Sequence, residues 1–438
     1  MNEVQENGDV AEEAVITNGV HDEEPNDEVQ TKEDLDENID DTKLTNLQIS
    51  NIDASEVDDD TQVKLKGDLI GETMYSESFV VKTLLRFNKL EWSQDLEEDL
   101  CFIWDMTVEP DVCDYLFDVS FPSLVCDVIL TETVNRLTEI LIGILSNICI
   151  SKNAQELMPE QIDIVLSFTH SDDPFILIQV MRFIKVMCHN TSDLSFINGD
   201  LLDKICFILS NSMNVQLLGN AMDAICRITD DKKLDLKMMN GNLFKSCLEG
   251  FKTICDCESN TEFNIYRLDN IKSTTNHWLQ ILVNICTYVS NSTELDFLLD
   301  IDELTDEALQ IVNNILISYQ EDVEFELCCD DLSFTIKTLN YVSPILNAHN
   351  HKLFFTLLNI MPQLIDDQEF YKNICNDFVE LLCYFISIFN VNNLKEKGLS
   401  SNHLVILEFI KNFNLDCSYK YVDNLNNMIK IITVGPDD

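Results

Sequence analysis

Three stretches of this chain repeat one another at a fixed step. LTEILIGILSNIC from Leu137, LIQVMRFIKVMCH from Leu177 and LLGNAMDAICRIT from Leu217 align without gaps, 40 residues apart. On a helix, the first, fourth, fifth, eighth and twelfth positions of each share one face. They are Leu137, Ile140, Leu141, Ile144 and Ile148, then Leu177, Val180, Met181, Ile184 and Cys188, then Leu217, Asn220, Ala221, Ala224 and Ile228. Fourteen of these fifteen are apolar and Asn220 is the exception. Each stretch therefore reads as an amphipathic helix with one stripe to bury.

A polar corner and a shorter apolar segment precede each stretch. The corners are Thr131-Glu132-Thr133, Ser171-Asp172-Asp173-Pro174 and Asn211-Ser212-Met213-Asn214, and the short segments are 122–130, 159–169 and 200–209. Ser or Asp ahead of a helix, with Pro174 in its first turn, are capping signals. A short helix, a corner and a longer helix every 40 residues is the period of armadillo and HEAT arrays, in which no unit buries its stripe alone and neighbours share one elongated core. The predicted fold is all-α, an armadillo/HEAT-like helical repeat solenoid.

Three regions are expected along the chain. Through Asp68 there are 22 acids against Lys32, Lys43, Lys64 and Lys66, and residues 1–67 hold no Phe, Trp or Tyr. Such a segment cannot bury enough apolar surface to offset its ordering entropy, so 1–67 is predicted to be a disordered acidic tail. Residues 68–300 are predicted to hold armadillo-like repeats, with the 40-residue period running from 122 to 231, and 301–438 further helices continuing the array. A first helix is expected after Thr73-Met74-Tyr75-Ser76, and a second from Asp95 to Met106 with Leu96, Leu100, Ile103 and Trp104 on one face. Beyond Asp231 the period breaks. Helices are expected near 276–288, 303–318, 332–347, 352–365, 371–389 and 403–413, without assignment to repeats.

Charge narrows the function. The net charge is −50, and the 370 residues after Asp68 still carry −32 of it. Phosphate backbones and anionic membranes repel such a chain, which disfavours nucleic-acid and membrane-surface binding. A basic protein partner is electrostatically compatible. No run of 18 apolar residues predicts a membrane span, and the acidic stretch from Met1 to Val10 does not read as a secretory signal. Most of the 16 cysteines lie singly in apolar runs with no CxxC pair, as reduced core thiols do; the close pairs, Cys255 with Cys257 and Cys328 with Cys329, lack zinc-ligand spacing.

Several segments resemble the serum amyloid A-like (SAAL) family. They are Ile70-Gly71-Glu72-Thr73-Met74-Tyr75-Ser76, Ile103-Trp104-Asp105-Met106 followed by Asp111-Val112, and Ser171-Asp172-Asp173-Pro174. Ile205-Cys206-Phe207-Ile208-Leu209-Ser210 running into Asn214-Val215, and more weakly His277-Trp278-Leu279, complete a collinear series from Asp68 to Thr293. The resemblance implies an armadillo-type, mainly nuclear protein linked to promoting cell proliferation, with no enzyme activity assigned.

Motifs for chemistry are missing from the sequence. There is no GxSxG, GxxxxGKS, GxGxxG or HExxH. His349 and His351 sit in a polar stretch that reads as an inter-helix loop. No catalytic residue, cofactor, metal or small-molecule substrate is expected. Armadillo import adaptors grip peptides with a sustained asparagine ladder. The equivalent column here is Asn147, Met187 and Arg227, of which only the first is asparagine. Trp278 lies six residues before Asn284, where a ladder tryptophan would lie one turn before. An import adaptor is thus disfavoured, and Trp104 and Trp278 read as core aromatics. The long-helix faces around Asn147, Met187 and Arg227 are the candidate protein-binding surface. The expected function is a non-enzymatic interaction scaffold. The alternatives are an armadillo-type nucleotide-exchange factor for 70-kDa heat-shock proteins and an acidic chaperone for basic proteins.

Overall fold

The computed structural model describes residues 67–89, 92–131, 133–150, 152–230, 241–258, 269–291, 295–319, 329–346, 350–366, 372–389, 394, 396–413 and 422–434. Residues 1–66, on which the acidic-tail expectation falls, lie outside them, as does His349. The chain divides into Met1–Gly67 and Asp68–Asp438, and every helix belongs to the second unit.

Seventeen α-helices occur among the described residues. The first nine are α1 (Glu77–Phe87), α2 (Gln94–Met106), α3 (Pro110–Asp118), α4 (Phe121–Ile129), α5 (Asn135–Ile148), α6 (Pro159–Ser167), α7 (Pro174–Asn190), α8 (Gly199–Asn211) and α9 (Val215–Asp230). They are followed by α10 (Gly241–Glu258), α11 (Asp269–Asn291), α12 (Leu295–Ile317), α13 (Cys329–Ile345), α14 (His351–Asp366), α15 (Lys372–Ile388), α16 (Leu404–Asn412) and α17 (Val422–Val434). The isolated bridge between Leu69 and Ser76 is the sole strand-type pairing among the described residues.

The helices pack in two rows. One row stacks α2, α5, α7, α9, α11, α13, α15 and α17 in succession, and the other runs α4, α6, α8, α10, α12, α14 and α16, with a short 3-10 turn at Phe168–His170 between α6 and α8. Pairs such as α4 with α5, α10 with α11 and α14 with α15 close the space between the rows. From α4 onward the helices of each row touch the helices one unit away, and most touch a helix of the other row, which is the arrangement of a helical repeat solenoid.

Local chemistry sets the helix starts. Ser76, Ser93, Asp173 and Asn198 each accept a first-turn backbone N–H with the side chain, and Pro110, Pro159 and Pro174 open their helices. Of the fifteen stripe positions, all but Cys188 and Asn220 are buried. In α2 the buried face is Leu96, Leu100, Ile103 and Met106. Trp104, expected on that face, is only half-buried and lies over Gly143 of α5, where an added Cβ would come within 2.2 Å of its ring. Three helices fall outside the sequence expectation: α3, α10 and α17.

Hydrogen bonds between neighbouring units record the period. Asn147 Nδ2 reaches Thr107 Oγ1 across 40 residues, Asn135 Nδ2 reaches Asp173 Oδ2 across 38, and Asn190 Nδ2 reaches the Cys149 carbonyl across 41. The interval then widens, to 55 between Asn284 and Thr229 and 54 between Thr287 and Tyr341. It contracts again to 41 between Tyr384 and Ser343 and 38 between Asn424 and Ile386. The wide intervals coincide with the 23-residue helices α11 and α12 and the long connections beside them.

Candidate functional site

A polar seam runs between successive helices of the row that begins with α2. At its start, Asn147 of α5 is half-buried. Its Nδ2 donates to Thr107 Oγ1 at 2.8 Å and its Oδ1 accepts from Arg182 Nη2 of α7 at 3.0 Å. Arg182 Nη1 donates to Gln179 Oε1 at 2.6 Å. Burial lowers the Arg182 pKa from its ordinary value.

Farther along, α9 and α11 part around a cavity of about 480 Å³. From α9 it is lined by Val215, Gln216, Gly219, Asn220 and Asp223, and from α11 by Ser273, Thr274 and His277. Helical periodicity explains the set: residues at i, i+4 and i+8 on α9 face residues at i and i+4 on α11. Asn220, the one polar break in the repeated apolar stripe, is one of the lining residues, and Gly219 beside it leaves room.

Asp223 is the centre of the electrostatics and is only 9% exposed. Lys185 of α7 places Nζ 2.5 Å from Oδ2. The other oxygen, Oδ1, lies 3.4 Å from His277 Nε2 and makes no hydrogen bond. His277 Nδ1 is likewise buried without a hydrogen-bond partner. Burial depresses the His277 pKa first. Asp223 opposes that shift, and the positive charges of Lys185 and Arg227 add to it. The imidazole is accordingly neutral at pH 7 and offers a lone pair. Ser273 shares the cavity with Asp223 and His277. Beyond the cavity the seam continues through Asn284, whose Nδ2 donates to Thr229 Oγ1 at 3.0 Å and whose Oδ1 accepts from Gln280 Nε2 at 2.8 Å.

The three residues named from the sequence are placed differently from one another. Arg227 is exposed, one turn past Asp223. Asn147 is spent on Thr107 and Arg182. Met187 is fully buried and presents no surface to a partner. Helix α7 is flanked in its row by α5 and α9, and the position that is half-exposed on α5 is covered on α7. The sequence reading missed Lys185, Asp223 and the cavity. The polar break at Asn220, beside a glycine and one turn before an aspartate, was the available signal. Trp278 follows His277 but points the other way, fully buried and stacked between Phe244 and Phe251 at 5.9 and 5.7 Å. His351 opens α14 and stacks on Phe389 at 4.3 Å. Among the described residues no group of His, Cys, Asp or Glu is arranged to hold a metal ion, and no helix is long and apolar enough to cross a membrane.

No family model matches the chain. Curated relatives do. Protein saal1 of Danio rerio is 28% identical over 197 residues, covering 40% of this chain and 42% of that protein. Protein SAAL1 of Homo sapiens is 26% identical over 202 residues, covering 39% and 42%. Protein saal1 of Xenopus tropicalis is 26% identical over 194 residues, covering 38% and 41%. The matched stretch thus spans about two fifths of the length of these relatives. Together they support membership of the SAAL family.

Proposed function

From its place in the SAAL family, we propose that this chain is a non-enzymatic scaffold that binds another protein along the helix row containing α7, α9 and α11. The observation that carries the reading is the seam itself: a cavity beside a buried carboxylate, one of whose oxygens makes no hydrogen bond, set in a row of helices that a partner's segment can follow. A repeat array of this kind offers an elongated surface rather than a single catalytic cleft. Nuclear residence and a part in promoting proliferation, which the family resemblance implies, belong to the same proposal, as does the armadillo character of the repeats.

Affinity purification of the tagged chain from nuclear and cytosolic extracts, with and without residues 1–67 and at low and high salt, tests it. A stoichiometric partner that persists at high salt and without the tail is the expected result. Arg227→Glu, exposed at the edge of the seam, should weaken that partner's binding. Binding that disappears with the tail or with salt would instead assign the interaction to the acidic segment and leave the helices as its carrier.

A further inference from the structure

We propose that the cavity between α9 and α11 receives the side chain of an arginine from a basic segment of the partner. The inference rests on the scaffold reading and adds the chemistry of what enters. Asp223 is nine-tenths buried and lines the cavity, and its Oδ1 has no hydrogen bond although Oδ2 is held by Lys185. That oxygen is shut off from solvent beside His277 Nε2. A buried carboxylate oxygen without a donor is costly, and a small turn of the carboxylate toward the cavity lets a donor from outside remove that cost.

The rest of the lining selects among donors. Gln216 and Asn220 contribute amide oxygens, and Ser273 and Thr274 contribute hydroxyls. A guanidinium has five donors in one plane and can serve Asp223 and several of these acceptors together, which a compact ammonium cannot. Val215 supplies an apolar wall for the aliphatic stem. An anionic ligand would face Asp223 Oδ1 and gain nothing there. The positive groups nearby do not exclude a guanidinium: Lys185 is paired with Oδ2, Arg227 is exposed and screened, and His277 is neutral. At longer range the net charge of −50 attracts a basic segment.

Two substitutions narrow the cavity without attacking the fold. Asn220→Leu restores the apolar type found at the aligned positions Ile140 and Val180, and the Asn220 side chain donates only to the Gln216 carbonyl of its own helix. Gly219→Leu adds a side chain where a Cβ would meet only Thr274 Oγ1, at 3.5 Å. The probe is a labelled peptide of alternating Gly and Arg, with its Lys and citrulline counterparts, titrated into the full chain near physiological salt.

The expected result has three parts. The arginine peptide slows amide exchange in 215–223 and 273–277 of the unmodified protein. Its affinity exceeds that of the citrulline peptide. It falls about tenfold in either cavity-filling variant that keeps the melting temperature, the factor expected for one lost charge-assisted contact. Protection elsewhere, equal binding of the citrulline peptide, or unchanged affinity in a folded variant would overturn the proposal. The exchange footprint needs no variant, so a folding failure does not shelter it. These outcomes leave the scaffold reading standing, because a partner recovered from extract that ignores the cavity would still be a partner. Conversely, an extract without any partner would not erase a peptide footprint.

Discussion

At the scale of single residues, two glycines show why some positions admit no side chain. Gly71 has φ +54°, and a Cβ there would lie 2.1 Å from Asp111 Oδ2, the oxygen that accepts from the Glu72 N–H at 2.9 Å. This ties Ile70-Gly71-Glu72 to Asp111, two segments that carry the family resemblance, by backbone geometry. Gly143 sits in the middle of α5 beneath Trp104. Replacing an interior helix glycine with alanine ordinarily gains up to about 1 kcal/mol. Here the ring obstructs, and Gly143→Ala should cost about 1–3 kcal/mol through overpacking. Chemical denaturation measures it, and pairing the change with Trp104→Leu should recover most of the loss; additive losses would mean that the cost does not arise from the ring. His277 sets a second expectation. Its folded pKa is below the ordinary 6.5, so below that pH the unfolded chain binds the proton and the folded site resists it. Stability should therefore fall as pH drops below about 6.5, with half-buried His403 contributing in the same sense. Melting curves at about pH 7.5 and about pH 5.5 should show a smaller acid loss in His277→Gln than in the unmodified protein. An equal loss would place the effect elsewhere.

At the scale of elements, the corners are what the sequence displayed most directly. Ser171-Asp172-Asp173-Pro174 announces α7, and Asp173 both caps it by accepting from Phe175 N at 2.9 Å and accepts from Asn135 Nδ2 of the preceding unit at 2.9 Å. Ser93 only caps, accepting from Leu96 N at 3.3 Å. Asp173→Ala should therefore cost more than Ser93→Ala, about 2 against about 1 kcal/mol, in parallel denaturation curves. The apolar stripes of α5, α7 and α9 were equally legible, because three units in succession kept one length. The later units were not, since α11 and α12 each grew to 23 residues and moved every stripe out of step. The cavity stayed hidden for a related reason. Asp223 lies one turn past Asn220, and only the stacking of α11 on α9 reveals that both face His277. Most thiols whose surroundings are described are core residues as expected, while Cys101, Cys188 and Cys257 are half-buried. Burial raises Cys113 of α3, Cys206 of α8 and Cys226 of α9 to about 11 and Cys286 of α11 to about 12. Alkylation of the native protein at about pH 8 should label half-buried Cys257 well before any of these four, and all should react together once denaturant is added.

At the scale of the whole molecule, the two-row stack makes stability a matter between neighbours. A helix in the row from α2 to α17 touches the helix before and after it in that row and its partners in the other row, so damage should spread one unit and then fade. Trp278 is the place to test this. It is fully buried in α11, stacked between Phe244 and Phe251 of α10, with α9 and α13 as the row neighbours of its helix. Trp278→Ala removes the largest buried side chain of the core and should cost about 3–5 kcal/mol locally. In a globular domain that loss would appear everywhere as faster global opening. In this array, hydrogen exchange should accelerate in α9, α10, α11 and α13, while α1 to α5 keep the protection of the unmodified chain. The same experiment bears on function, because the cavity lies between two of the helices that loosen. If exchange rose uniformly from α1 to α17, the units would be a single cooperative body. A partner gripping the α7–α11 seam would then stiffen the entire array instead of the units it touches.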